Sequence, residues 1–225
     1  MNAPVLQVGE QAVHAHELPV MLNRYQMMSQ VRRGLVIDQA IANIPCNESE
    51  RIVAITEFEK HNHGMTLEAM EEIAIRNFQI YKFKMITFGN KVESYFLKTK
   101  ARFDQVIYSV IRVKDQGLAS EIYFRIQAGE QSFSELAHEF SQGLEAYTGG
   151  ILGPVALGQV HPVIGRVLAV SKPGQLWAPH NIEGNFVIIR LEKSIPARLD
   201  ETMRRRLIDE LFENWLNLAT DDEQM

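Results

Sequence analysis

SFSELAHEFSQGLEAYTGGILG, residues 132–153, is the stretch from which the rest of this chain can be read. Phe133, Leu136, Ala137 and Phe140 recur three and four apart, so they share one face of a short amphipathic helix that ends at Ser141. Eight residues later Gly149-Gly150 opens an apolar run, Ile151-Leu152-Gly153. A helix, a loop and an extended segment therefore follow each other closely.

Working outward, the texture on both sides alternates between strands and helices. Val106, Ile107, Tyr108, Val110, Ile111 and Val113 are β-branched, aromatic or aliphatic and predict a buried strand. Leu118, Ile122 and Ile126 predict a helix that stops at Gly129. Beyond the opening stretch, residues 150–157 continue extended and residues 162–169 predict a short helix. Pro173-Gly174 makes a turn, and NFVIIRLE, residues 185–192, reads as a final strand.

The first hundred residues read as helices. Leu18, Met21, Leu22, Tyr25 and Met28 lie on one helical face, and Met21 and Met28 are expected in a core. Leu35, Gln39 and Ile41 belong to a second segment ending near Pro45. Asn47 with Glu50 predicts an N-cap and its reciprocal carboxylate. The helix after it should carry Ile52, Ile55 and Phe58 inward and end at His63-Gly64. Thr66 caps a long segment through Phe88, which Gly89-Asn90 interrupts and Val92 to Lys98 resumes. At the other end, Met203, Leu207, Ile208, Leu211, Phe212, Trp215 and Leu216 form a wide apolar stripe that has to be buried.

Composition narrows the function classes. The chain has 225 residues, 46% of them hydrophobic, which is enough for one large domain or two small ones. A net charge of −5 and scattered basic residues argue against a nucleic-acid partner. No run reaches the ~18 apolar residues of a membrane span. The first residues lack the pattern of a secretory leader, so a soluble, cytoplasmic protein is expected. One cysteine, Cys46, excludes an intramolecular disulfide framework.

The pieces Phe133-x-x-Leu136-Ala137, Ser141, Gly149-Gly150 and Leu152-Gly153 stand in the order F-x-x-L-A, S, G-G-x-L-G. With Pro173-Gly174-Gln175-Leu176 as a later turn, residues 103–193 resemble the parvulin (PpiC-type rotamase) family of peptidyl-prolyl cis-trans isomerases. The resemblance implies an α+β fold with a small antiparallel sheet over residues 103–195. It also implies a helical domain, residues 1–102 completed by 198–220, as in parvulin-containing chaperones. The activity implied is proline isomerisation on extended or unfolded polypeptide with X-Pro segments, without a cofactor. The alternative is a non-catalytic chaperone or dedicated maturation partner of the same fold.

The family's site can be carried over position by position. Its first-strand histidine falls at or beside Ser109, its last-strand histidine at Phe186, and its Cys or Asp at Gly143. The resemblance thus implies Ser109, Tyr108 and Ser141 as the polar catalytic group. Leu152, Val160, Ile164, Leu168 and Phe186 would form the proline cup. Lys114-Asp115-Gln116-Gly117 replaces the basic loop of the phosphate-reading branch, so no phosphate preference is expected. His14, His16, His61, His63, His138, His161 and His180 lack the convergent spacing of a metal site, and none is expected. Ser141 and His138 lack an orienting acid for nucleophilic work.

Overall fold

A computed structural model of the chain describes residues 4–62 and 64–222. The chain divides into two compact units: residues 1–92 with 201–225, and residues 93–200. Helix 92–99, read from sequence with the helical region, falls almost wholly into the second unit.

The first unit begins with a small hairpin, β1 (Leu6–Val8) and β2 (Gln11–Val13). Helices α1 (Leu18–Arg24), α2 (Met28–Ile41), α3 (Glu48–Glu59) and α4 (Leu67–Phe88) follow. Asn47 accepts the Glu50 N–H at 3.0 Å, and the Glu50 carboxylate accepts the Asn47 N–H at 2.9 Å, so the expected capping box forms. Thr66 accepts the Ala69 N–H in the same manner.

The sequence misjudged three details here. The stretch from Leu18 to Met28 is not one helix, because Gln26 takes a left-handed conformation (φ 58°) and breaks it. No residue of α1 is buried, so Met21 is half-buried rather than core. On α3 the buried position is Ala54, while Ile52 is exposed. His63, expected near the end of α3, lies outside the described residues; the helix stops at Glu59.

The core of this unit is closed by α9 (Glu201–Asp222), which packs on α2 and α4. Leu207, Ile208, Phe212 and Leu216 are buried. Phe212 and Trp215 join Phe83 and Phe88 in a ring cluster with centroids 5.1–6.4 Å apart, a spacing at which aromatic edges meet faces. Around it, Arg33 reaches Glu213 and Asn217, and Lys84 reaches Asp209. Such surface pairs contribute only ~0–1 kcal/mol each, so the apolar stripe carries the packing. Among the described residues, no helix is long and apolar enough to cross a membrane.

The second unit holds α5 (Val92–Thr99), β3 (Gln105–Val113), α6 (Gln116–Ala128), α7 (Phe133–Phe140), β4 (Ile151–Ala156), α8 (Pro162–Ala169), β5 (Leu176–Ile182) and β6 (Asn185–Ile195). Ser132 and Glu135 form a capping box on α7, and Asp115 caps α6. The four strands make an antiparallel sheet in the order β4-β3-β6-β5. Helices α6 and α7 cover one face, through Ala119, Ile122, Phe133, Leu136 and Ala137 packed on Ile111, Val113 and Ile188. Helix α8 covers the other, through Ile164 and Leu168 packed on Val106, Tyr108, Val110, Val187, Ile189 and Leu191.

The pass along the sequence gives three strands and the structure has four in this sheet. The extra one, LWAPHNI, is an edge strand with Pro179 inside a register shift between Trp177 and His180. Proline removes a ladder donor and is tolerated there because an edge leaves one side unpaired. Its polar residues also break the alternation that marks a strand.

Candidate functional site

The position of each side chain in the sheet follows from the period of two. On β3, Val106, Tyr108 and Val110 face α8, while Ile111 and Val113 face α6 and α7. Ser109 therefore points to the α6 and α7 side. It is almost fully buried there, and its hydroxyl donates to Glu192 at 2.5 Å. Glu192 also receives Arg190 Nε at 2.8 Å, and the Arg190 guanidinium lies 4.9 Å over the Phe133 ring. Phe186 packs on the same side.

The sequence-derived site residues are thus divided between the two faces of the sheet. Tyr108, Leu152, Val160, Ile164 and Leu168 share the α8 face. Ser109 and Phe186 do not join them. The strand side chains beneath α8 are Val106, Tyr108 and Val110 on β3 with Val187, Ile189 and Leu191 on β6.

A cavity of about 180 Å³ opens on this α8 face. Ile164, Ile182 and Val187 give it apolar walls, and Arg112, His161, Glu183 and Asn185 give it a polar rim. Of the expected cup, only Ile164 lines it. Val160 and Leu168 are buried in the core behind, at 8% and 2% exposure, and act as its support. Arg112 pairs with Val187 across β3 and β6, so both side chains reach the same face.

The rim is organised by short local structures. His161 caps α8: its Nδ1 accepts the Val163 N–H at 3.3 Å, which leaves the ring proton on Nε2. That nitrogen faces the Glu183 carboxylate at 3.6 Å. Glu183 and Gly184 form the two-residue turn between β5 and β6, both with positive φ (52° and 80°). A glutamate in that conformation costs ~1–2 kcal/mol, a strain concentrated at the edge of the cavity.

Beside Arg112 lies a polar cluster of which the sequence reading reached only Ser141. Ser141, just past α7, accepts the Arg112 backbone N–H at 3.1 Å and donates its own proton to Glu145 at 2.8 Å. Glu145 sits on a short 3-10 turn, residues 144–148, and is only 3% exposed. Its carboxylate is 3.6 Å from Arg112 Nε, close enough for charge pairing and too long for a hydrogen bond. Burial pushes the Tyr108 phenol above its ordinary range, with Arg112 pulling it down and Glu145 pushing it up. Tyr108 therefore stays protonated at neutral pH.

One signal for this cluster did exist in the sequence. A single arginine interrupts the apolar run of β3, and a charge in a strand buried on both faces requires a partner. Glu145 had no such signal, because a 3-10 turn brought it there.

Residues 112–193 match the family model described as Rotamase: PPIC-type PPIASE domain. A Chaperone SurA from Aromatoleum aromaticum is 32% identical over 99 residues, 40% of this chain and 23% of that protein. A Chaperone SurA from Pseudomonas fluorescens is 30% identical over 119 residues, 48% of this chain and 28% of that protein. The chain therefore spans about a quarter of the length of these curated relatives. The crystal structure of peptidylprolyl isomerase PrsA from Bacillus cereus covers 99% of this chain and 91% of its own, at 17% identity and a TM-score of 0.52. That likeness shows the fold.

Proposed function

We propose that this chain, whose residues 112–193 resemble the parvulin rotamases, is a peptidyl-prolyl cis-trans isomerase acting on extended polypeptide. The observation that carries the reading is the small apolar-walled cavity on the α8 face, rimmed by Arg112 and His161. Ligand pockets for drug-sized molecules run to ~300–1,000 Å³. This cavity is on the scale of one side chain, as a proline ring requires.

The chemistry needs little more. Rotation about an X-Pro amide breaks its resonance against a barrier of ~18–20 kcal/mol. No bond is made, so no nucleophile is required. The twisted amide is less charge-separated than the planar one, so apolar walls such as Ile164, Ile182 and Val187 favour it over the ground state.

A second reading has its own observation. The strand residues beneath α8 include no histidine, and a polar network there would contribute ~10²–10⁴-fold. A chaperone that grips Pro-containing segments without turning them over would use the same cavity.

A protease-free isomerisation assay on X-Pro peptides separates the two. Catalysis is expected, with Ile164→Ala weakening peptide binding roughly tenfold through lost apolar contact. Ser141→Ala should weaken it less, because Ser141 is satisfied by Arg112 and Glu145 rather than by a ligand. Binding without turnover would leave the chaperone reading, and neither binding nor turnover by the folded chain would end both. We also place the protein in the cytoplasm, a reading supported by the free Cys46, which fits a reducing compartment. Cell fractionation that recovered it with an envelope marker would remove that placement.

A further inference from the structure

Arg112 and Glu145 form a unit that a generic proline pocket does not need. A buried carboxylate is costly unless it is paired and hydrogen-bonded. Glu145 has both partners, Arg112 and Ser141. Arg112 is placed differently. Its side chain is 39% exposed, it lines the cavity, and its guanidinium has five N–H donors while the nearest Glu145 oxygen is 3.6 Å from Nε. It therefore has donors to spare on the cavity side.

Gly143 is the counterpart of this arrangement. Its backbone is extended (φ −100°, ψ 175°), a conformation open to any residue. A β-carbon there would lie 2.5 Å from Cδ of Glu145 and closer still to both carboxylate oxygens. The missing side chain at 143 is the space that the Glu145 carboxylate fills.

Resting on the isomerase reading above, we propose that Arg112 holds the carbonyl oxygen of the residue before proline. In this proposal the Glu145 carboxylate positions that guanidinium and cancels its charge. The consequence is a substrate class. An isolated guanidinium at the cavity rim would favour acidic residues before proline and repel basic ones. With Glu145 buried beside it, the pair is neutral as a whole. The site then takes X-Pro segments with little regard to the charge of X, which suits a protein handling varied extended chains. Glu183 across the rim carries a negative charge, but its carboxylate is 83% exposed, so solvent screens it and it adds little preference.

The test measures binding and isomerisation of Ala-X-Pro-Phe peptides, with X as Ala, Glu or Lys, by the full chain. Wild type should treat the three alike within a few-fold. Arg112→Leu, similar in bulk and free of charge, should lose about tenfold in affinity for all three, the scale of one hydrogen bond to a charged group. Glu145→Ala should lower affinity for Ala-Pro a few-fold, because the guanidinium is no longer positioned, while raising the preference for Glu-Pro over Lys-Pro about tenfold. Gly143→Asp combined with Glu145→Ala moves the carboxylate to the neighbouring backbone position and should restore the even preference.

A merely structural role for Glu145 would not produce a charge-selective change that a relocated carboxylate reverses. Arg112→Leu binding all three peptides like wild type overturns the carbonyl contact. Glu145→Ala with an unchanged Glu-to-Lys preference overturns the charge-cancelling role, and it does so even if Arg112→Leu fails to fold. Wild type that neither binds nor isomerises any of the peptides removes the isomerase reading, and this inference with it.

Discussion

Replacing Gly153 with alanine is expected to destabilise the sheet unit by about 3 kcal/mol. Gly153 has φ +105°, a conformation that L side chains rarely adopt. A β-carbon there would meet the Val106 carbonyl oxygen at 2.5 Å, the Val155 nitrogen at 3.2 Å and Ile107 Cα at 3.3 Å. These are backbone atoms of β3 and β4, at the register shift between Val106 and Tyr108, so no side chain can swing aside. Gly174 is the comparison: φ +82° with open space around it. Gly174→Ala should cost only the conformational part, about 1 kcal/mol. The chain has two tryptophans, and a Trp215→Phe background leaves Trp177 on β5 as the reporter. Equal urea midpoint shifts for the two glycines would show that the close approach at 153 is not what that position requires.

Phe212→Ala is expected to cost the helical unit about 3–5 kcal/mol. Phe212 is 4% exposed and touches three other rings, with centroids 6.3 Å to Phe83, 6.4 Å to Phe88 and 5.6 Å to Trp215. Lys84 Nζ also lies 4.5 Å from its centroid. Truncation removes one of four rings that each touch the other three and leaves a hole between α4 and α9. A Trp177→Phe background isolates Trp215, whose emission should shift red and whose unfolding midpoint should fall. Leu218→Ala, on the same helix at 68% exposure, serves as the control and should move little. A Phe212 effect as small as that control would mean that the stripe on α9 is not a packed face.

The elements set by local chemistry were legible. Asn47 with Glu50 starts α3, and β-branched runs mark β3 and β6. Strand β5 was obscured by Pro179, His180 and Asn181, and only the pairing with β6 makes it a strand. The site was harder for a different reason. Strand β3 is buried on both faces, so its hydrophobicity carries no alternation to say which residues look toward α8. Ser109 and Tyr108 are neighbours in sequence and lie on opposite sides of the sheet. Arg112 could have been suspected from its charge alone. Glu145 could not, because it reaches Arg112 through a turn that periodicity does not describe.

The helical unit is assembled from both ends of the chain, with residues 93–200 between them. During synthesis the order of emergence matters. Helices α2 and α4 leave the ribosome with the faces that α9 will cover still bare. At ~5–20 residues per second, α9 follows only after roughly 5–20 s. The sheet unit is contiguous, so it has that interval in which to fold on its own residues. The helical unit has to be kept from collapsing wrongly until Leu207, Phe212 and Leu216 arrive. A chain stalled or clipped before residue 201 would present a finished sheet unit beside an uncovered pair of helices, and quality-control proteases would meet it in that state.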